Sequence, residues 1–549
     1  MTISSLRAKR GNLAVRTRKP EIATSPLSAD SGRLLAMTGR PCKGNSATRH
    51  QVFISCLESN LVPLRERVGV REIRRPPDRF QCRNMPKLVV LGLDCAPPEL
   101  VFDAWKADLP NLRSLMEQGI HAPLVSTIPP ITVPAWTSMM TSQDPGMLGF
   151  YGFRNRQDYS YDKLYFANAG YVKAKTVWNH LSRNRLRSLV LGVPQTYPPK
   201  PLNGVLVACF LTPDKSVQYT CPDEIKAELD RIADGDYIID VKDFRTDNKD
   251  ELLKAIYVMT ERRFKVFRHL ICHDHFDFAM MVEMGPDRIH HGFWRFHDKT
   301  HRLYEPGNPY EHAIHDYYVE LDREVGRTLE TLDDDTSVMV VSDHGAKGMI
   351  GAICVNEFLQ REGYLTLKQQ PEKRTRLDME MIDWSKTKVW GEGGYYSRIF
   401  FNVAGREPEG QIPADRYESF RDEVKAKLEA IADENGTNIG TRVFKPQEIY
   451  RECNGIPPDL IVYFGDLNWR SAGSVGVGSI YLYENDTGPD DANHAQNGIF
   501  IMRPPRDCAV RKAETYSIYD IAPTILTVFG IPPAQEMIGH SILTSEEME

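Results

Sequence analysis

The chain of 549 residues carries 68 Lys and Arg against 74 Asp and Glu, with 41% hydrophobic residues, which excludes disorder, collagen or a coiled coil as a whole-chain reading. No stretch reaches the roughly 18 uninterrupted apolar residues of a membrane span, and the N-terminus lacks the apolar centre of a secretory signal, so a cytoplasmic protein without a membrane span is expected. The ten cysteines lie far apart with no CxxC pair and read as reduced, mostly buried thiols.

Residues 1–84 carry 17 Lys and Arg against 6 Asp and Glu, net +11, leaving net −17 on residues 85–549. This first segment is rich in Arg, Ser and Pro without sustained periodicity, and reads as a basic, disordered extension. The globular pattern starts abruptly at Met85, favouring Met85 as the true start over a transit peptide or a tail retained in its own right. Interleaved aromatics and nucleic-acid-binding motifs are missing from it, so no nucleic-acid partner is expected.

From Lys87 onward short Val/Ile/Leu runs alternate with helical patterns, which predicts an α/β fold with a mostly parallel central sheet sandwiched by helices. Strands are expected at 87–93, 188–193, 204–210, 277–284, 336–342, 459–464 and 498–502. Helices are expected at 109–118, 133–142, 222–233, 249–272, 311–332, 414–432 and 517–529. Two stretches break the alternation, about 145–220 and about 368–457, the second containing Trp390-Gly-Glu-Gly-Gly-Tyr-Tyr396. Both are expected as cap-like insertions in one domain spanning 85–549. No G-x-x-x-x-G-K-[ST] loop and no strand-linked G-x-G-x-x-G occurs, which argues against nucleotide folds built on those loops.

Acidic and imidazole side chains recur at the carboxyl ends of the predicted strands, where open α/β sheets place their ligands. Asp94 ends the first strand. Asp287 and His291 follow the strand at 277–284 with four-residue spacing, so one helical turn sets both on one face. Asp343-His344 ends the run Ser337-Val-Met-Val-Val-Ser342, with Gly345 expected to permit a tight turn there. His494 precedes Gly498-Ile-Phe-Ile-Met502. Any one of these is an ordinary cap or surface residue on its own. Three carboxylates and three imidazoles converging on one edge, however, require cations to neutralise them, and the mixture suits two divalent ions, zinc or manganese. Thr132, in Pro129-Pro-Ile-Thr132-Val-Pro-Ala-Trp136, falls just before a predicted helix whose first turn contains Pro134. That position offers a nucleophilic hydroxyl near a helix N-terminus, set against the plainer role of N-cap.

Taken in order, Leu91-Gly-Leu-Asp94, Thr127-Ile-Pro-Pro-Ile-Thr132-Val-Pro-Ala-Trp-Thr-Ser138, Glu283-Met-Gly-Pro-Asp287-Arg-Ile-His-His291, Val341-Ser-Asp-His-Gly345, His494 and Asp520-Ile-Ala-Pro-Thr-Ile-Leu526 resemble the alkaline phosphatase superfamily. Within it they resemble the type I phosphodiesterase/nucleotide pyrophosphatase group and its bacterial phosphohydrolase or phosphomutase-like members, over about residues 87–545. The resemblance implies an alkaline-phosphatase-like fold and one metal on Asp287, His291 and His494. It implies a second metal on Asp94, Asp343, His344 and the Thr132 oxygen, with in-line attack by Thr132 on a small-molecule phosphate ester. Group members usually carry Asn-His shortly after the nucleophile, the Asn donating to a phosphoryl oxygen; this chain has Ala135-Trp136. A replacement donor is sought among Arg288, His290, Lys347 and Lys173, each of which also reads as a solvated surface charge. A sulfatase is disfavoured because Thr132 is not the modifiable Cys or Ser of C/S-x-P-x-R, and Cys95 beside Asp94 reads as buried packing. Phosphodiester, pyrophosphate or related ester hydrolysis leads. A phosphomutase of the same superfamily and an inactive metal-stabilised phosphate-binding scaffold are the alternatives.

Overall fold

The computed structural model describes residues 85–506 and 508–544, so the reading of residues 1–84 lies outside the described residues. Nine strands form the main sheet: β1 (Leu88–Leu93), β2 (Ile120–Val125), β3 (Ser188–Leu191), β4 (Gly204–Val207), β5 (Thr220–Cys221), β6 (Phe278–Glu283), β7 (Ser337–Val341), β8 (Asn497–Arg503) and β9 (Tyr516–Ser517), in the order β9-β2-β8-β7-β1-β6-β3-β4-β5. The five central strands β7, β1, β6, β3 and β4 are mutually parallel, and β8 runs antiparallel between β7 and β2. Every residue of β1, β6 and β7 is buried, the pattern of strands covered on both faces.

The principal helices are α1 (Pro110–Gln118), α2 (Thr132–Thr141), α3 (Lys249–His273), α4 (Gly285–His297), α5 (Ala313–Leu329) and α6 (Ile521–Val528). They flank the sheet in two groups, α1, α3, α4 and α5 packing on one another and α2 on α6. The apolar residues Leu252, Leu253, Ile256, Met259, Phe264, Phe267 and Leu270 of α3 are all buried. Among the described residues no helix is long and apolar enough to cross a membrane.

Three expectations change. The run Leu460–Tyr463 does not join the main sheet; it pairs with Ser397–Phe401 and Arg442–Phe444 in a separate four-stranded sheet completed by Val389–Glu392. That sheet has its own core around Trp390, Phe401, Leu460 and Val462, and a short apolar run carries no label of its partner strand. Strand β2 is not among the expected strands; it contains Pro123, but β9 pairs only with Leu124 and Val125, so among the described residues the chain at Pro123 has no paired neighbour on that side and the missing N–H costs no ladder bond. Finally, β3 and β4 lie in the main sheet although they fall inside 145–220. The hairpin of Arg154–Arg156 and Leu164–Phe166 forms a sheet of its own before them.

Candidate active site

Parallel pairing of β1 with β6 and β7 brings their carboxyl ends together, Leu93 opposite Glu283 and Gly92 opposite Val341. Asp94 follows β1, Asp287 lies in the first turn of α4, and Asp343-His344 follow β7. His494 arrives from another direction, on the strand Ala492–Ala495, which pairs antiparallel with Gly345–Gly348 so that His494 lies opposite Ala346. The His344 and His494 rings stack with centroids 3.9 Å apart. Thr132 is the first residue of α2 rather than the residue before it, with Pro134 two positions on.

All six predicted ligands and Thr132 are buried. His291 Nε2 lies 3.3 Å and His494 Nε2 3.9 Å from Asp287 Oδ1. His344 Nε2 lies 3.3 Å from Asp343 Oδ2 and 3.9 Å from Asp94 Oδ1, and Thr132 Oγ1 lies 3.3 Å from the same nitrogen. The ligand atoms form two groups, Asp287 with His291 and His494, and Asp94 with Asp287 and His344, each within 4.8 Å of one another. Asp287 belongs to both and so stands between them.

The imidazoles are oriented from behind. Nδ1 of His291 lies 2.8 Å from Asp490 Oδ1, that of His344 3.1 Å from the Gly345 carbonyl, and that of His494 2.8 Å from the Pro130 carbonyl. These oxygens can only accept, so each Nδ1 donates, and in the neutral ring Nε2 presents its lone pair to the cluster. Asp94 Oδ1, Asp343 Oδ2, His291 Nε2 and His494 Nε2 are buried and meet no hydrogen-bond partner. Buried carboxylates facing one another are strongly disfavoured unless positive charge lies among them, supplied in the cation-free cluster by His291, which Asp490 and Asp287 raise to about 9 despite its burial. Burial, then repulsion from Asp287, raises Asp94 well above the usual carboxylate range. Burial and the Asp94 charge do the same to Asp343. Asp287 is held low despite burial, by His291 and Arg288, while burial pushes His344 down to about 4. The set fits divalent cations of the kind that accept mixed Asp and His ligation.

Of the four candidate substrate donors, only Arg288 touches the cluster. Its guanidinium pairs with Asp287 and grips Asp240 through Nε at 3.1 Å and Nη2 at 2.6 Å, so it orients a ligand. His290 is fully buried, packed between Tyr318 and Trp294, and burial pushes it down to about 3. Lys347 donates to the Asp466 carbonyl at 3.0 Å, and Lys173 is exposed. Cys95 is buried as expected, and its N–H donates to Asp343 Oδ1 at 3.3 Å.

Gly345 does not take a left-handed conformation; what it supplies is room, since a Cβ there would meet the Asn497 carbonyl at 2.3 Å. Sequence reasoning missed Asp490, Arg245, Tyr395 and Trp136. Arg245 Nε donates to Asp490 Oδ2 at 2.8 Å and the Tyr395 hydroxyl donates to the same oxygen at 2.9 Å. The Tyr395 ring stacks on His494 and His291 at 4.4 and 4.9 Å. The signals were the acidic pair four and three residues before His494 and the Gly/Tyr run itself.

The profile of the family described as type I phosphodiesterase / nucleotide pyrophosphatase matches residues 88–490. No curated protein sequence matches the chain. Among solved structures, phosphonoacetate hydrolase from Sinorhizobium meliloti 1021, in complex with phosphonoformate, superposes with a TM-score of 0.52 at 16% identity, over 81% of this chain and 96% of that one. Human ectonucleotide pyrophosphatase / phosphodiesterase 5 gives 0.47 at 14% identity, over 84% and 100%.

Proposed function

This chain belongs to the type I phosphodiesterase / nucleotide pyrophosphatase family, with an alkaline-phosphatase-like fold, and we propose that it is a two-metal phosphohydrolase cleaving a phosphodiester, pyrophosphate or related phosphate ester through a phosphothreonine at Thr132. The observation that carries this reading is Thr132 Oγ1 at the start of α2, 3.3 Å from the Nε2 of His344, a member of the group with Asp94 and Asp287. Asp287, His291 and His494 would hold one divalent cation, and Asp94, Asp343, His344 and Thr132 the other, zinc or manganese by donor type. Bound there, the cations supply positive charge that lowers the pKa of the hydroxyl and offsets charge on the leaving oxygen.

Thr132 attacks phosphorus in line as the alkoxide. Its Oγ1–P bond forms while the bond to the leaving oxygen breaks, that oxygen departing with the electron pair. The N-terminus of α2 favours the anionic phosphoryl oxygens. Water then attacks phosphorus opposite Oγ1, the Oγ1–P bond breaks and Thr132 regains its proton; a diester substrate yields a phosphomonoester and a monoester yields phosphate, and the two inversions leave net retention. Throughout, Asp490, the Gly345 carbonyl and the Pro130 carbonyl keep the imidazole Nε2 lone pairs directed inward, and Arg288 keeps Asp287 ionised.

The test is turnover of an aryl phosphodiester against the matching monoester, with zinc or manganese loaded separately. Thr132→Ala should lower the rate roughly 10³-fold or more while most of the bound metal stays. Undiminished turnover in that variant would sink the nucleophile assignment. Phosphoryl transfer to a second hydroxyl of the substrate, with no oxygen from ¹⁸O-labelled water entering the phosphorylated product, would convert the reading to a phosphomutase.

A further inference from the structure

Trp136 is fully buried on the helix that carries Thr132, and the mechanism above makes no use of it. Its indole Nε1–H donates to Asp94 Oδ2 at 2.7 Å, and both residues are fully buried. An indole nitrogen has no lone pair to offer a cation, so Trp136 is no ligand. What the bond does is occupy one oxygen of Asp94 and leave the other, Oδ1, as its single unpartnered atom facing His344.

The surroundings are shaped for this bond. Gly92 and Asp94 are two residues apart at the end of β1, so they project to the same face. A Cβ on Gly92 would lie 2.5 Å from Trp136 Cη2 and 2.8 Å from Val282 Cγ2. The bare backbone at Gly92 lets the indole lie along the strand with its N–H reaching Asp94. Trp136 is also one helical turn beyond Thr132 on α2, so the bond ties the helix that bears the nucleophile to a ligand on β1.

We propose that Trp136 is a positioning residue for the metal centre, restricting Asp94 to one ligand oxygen and setting the spacing between Asp94 and Thr132. This rests on the two-metal reading of the site. A wholly different role, as packing alone, is open to so large a buried ring, and the experiment must separate the two.

Metal affinities of the full-length chain are measured by competition with a chromophoric chelator, using zinc and manganese, for the unaltered protein, Trp136→Phe, Asp94→Asn and the double variant. Phe keeps an aromatic ring in the pocket and removes only the N–H and part of the indole. One of the two cations should bind Trp136→Phe about 10–100-fold more weakly, the range for loss of a hydrogen bond behind a ligand, with the other within about twofold. In the Asp94→Asn background the same change should add little, because the indole acts through Asp94. A second reading comes from the indole N–H resonance of ¹⁵N-tryptophan-labelled protein that disappears in Trp136→Phe; it should shift when zinc is added. Affinities unmoved by Trp136→Phe, or an equal further loss in the Asp94→Asn background, would reduce Trp136 to packing. An unaltered chain that takes up no cation would instead overturn the two-metal reading, and this assignment with it.

Discussion

Asp490 illustrates how much of the site depends on residues that never meet a substrate. Its carboxylate receives the His291 Nδ1–H, the Arg245 guanidinium and the Tyr395 hydroxyl, and His291 and Arg245 hold it ionised despite complete burial. An ionised acceptor behind an imidazole fixes its tautomer and raises its basicity as a ligand. Asp490→Asn should therefore weaken cation binding at the Asp287, His291 and His494 group by roughly tenfold or more. Chelator competition on the purified variant reads this directly, and an unchanged affinity would show that the Tyr395 and His494 rings position His291 on their own. Arg288 belongs to the same class, since its guanidinium is ion-paired with two carboxylates, Asp240 and Asp287. Its charge is spent before any phosphate arrives.

At the scale of elements, the site is a meeting of strand ends with two helix starts and one long-range strand pair. Parallel pairing sets Asp94, Asp287 and Asp343 side by side because each follows its strand by a few residues. Antiparallel pairing of Gly345–Gly348 with the distant Ala492–Ala495 then lays His494 over His344. The first residue of this pair, Gly345, has the Asn497 carbonyl at 2.3 Å from where a Cβ would go and Pro97 Cβ at 3.2 Å. Gly345→Ala must push apart this strand pair and β8, at a cost of about 1–3 kcal/mol by analogy with overpacked cores, and must displace His344. Both a lower unfolding midpoint and reduced metal content are expected. Retention of both would mean that the strand pair moves freely and does not set the position of His344.

Over the whole molecule, two bodies of packing converge on one cluster: the strand ends and helices of the main sheet bring Asp94, Thr132, Asp287, His291, Asp343 and His344, and the segment between β7 and β8, which has its own sheet and core, delivers Tyr395 and His494. A cluster of buried carboxylates without cations pays for its own repulsion, so cation binding must stabilise the fold. Chelation should lower the unfolding midpoint, by roughly 5–10 °C if the cations are present at about a hundredfold over their dissociation constants. Calorimetry with and without chelator, with re-addition of zinc as the control, measures this; an unmoved midpoint would contradict cation binding by the native state.

The chemistry-bearing residues were legible from the chain alone because a parallel sheet repeats one local rule. An apolar run ends in a polar residue, and every such end lies on the same edge. Hence Asp94, Asp287, His291, Asp343 and His344 could be read in order, with Thr132 marked by the Pro-rich start of its helix. Composition and alternation likewise determined the α/β class. Pairing partners and side-chain surroundings are not local properties, and only the tertiary structure decided them. Leu460–Tyr463 joined another sheet, Asp287 came to stand between the two ligand groups, and Arg288 turned to Asp240. Trp136 met Asp94 and Asp490 met His291 across 42 and 199 residues of chain. Contacts of that length depend on where folding carries each element, and a sequence pattern records only what each residue needs from its neighbours along the chain.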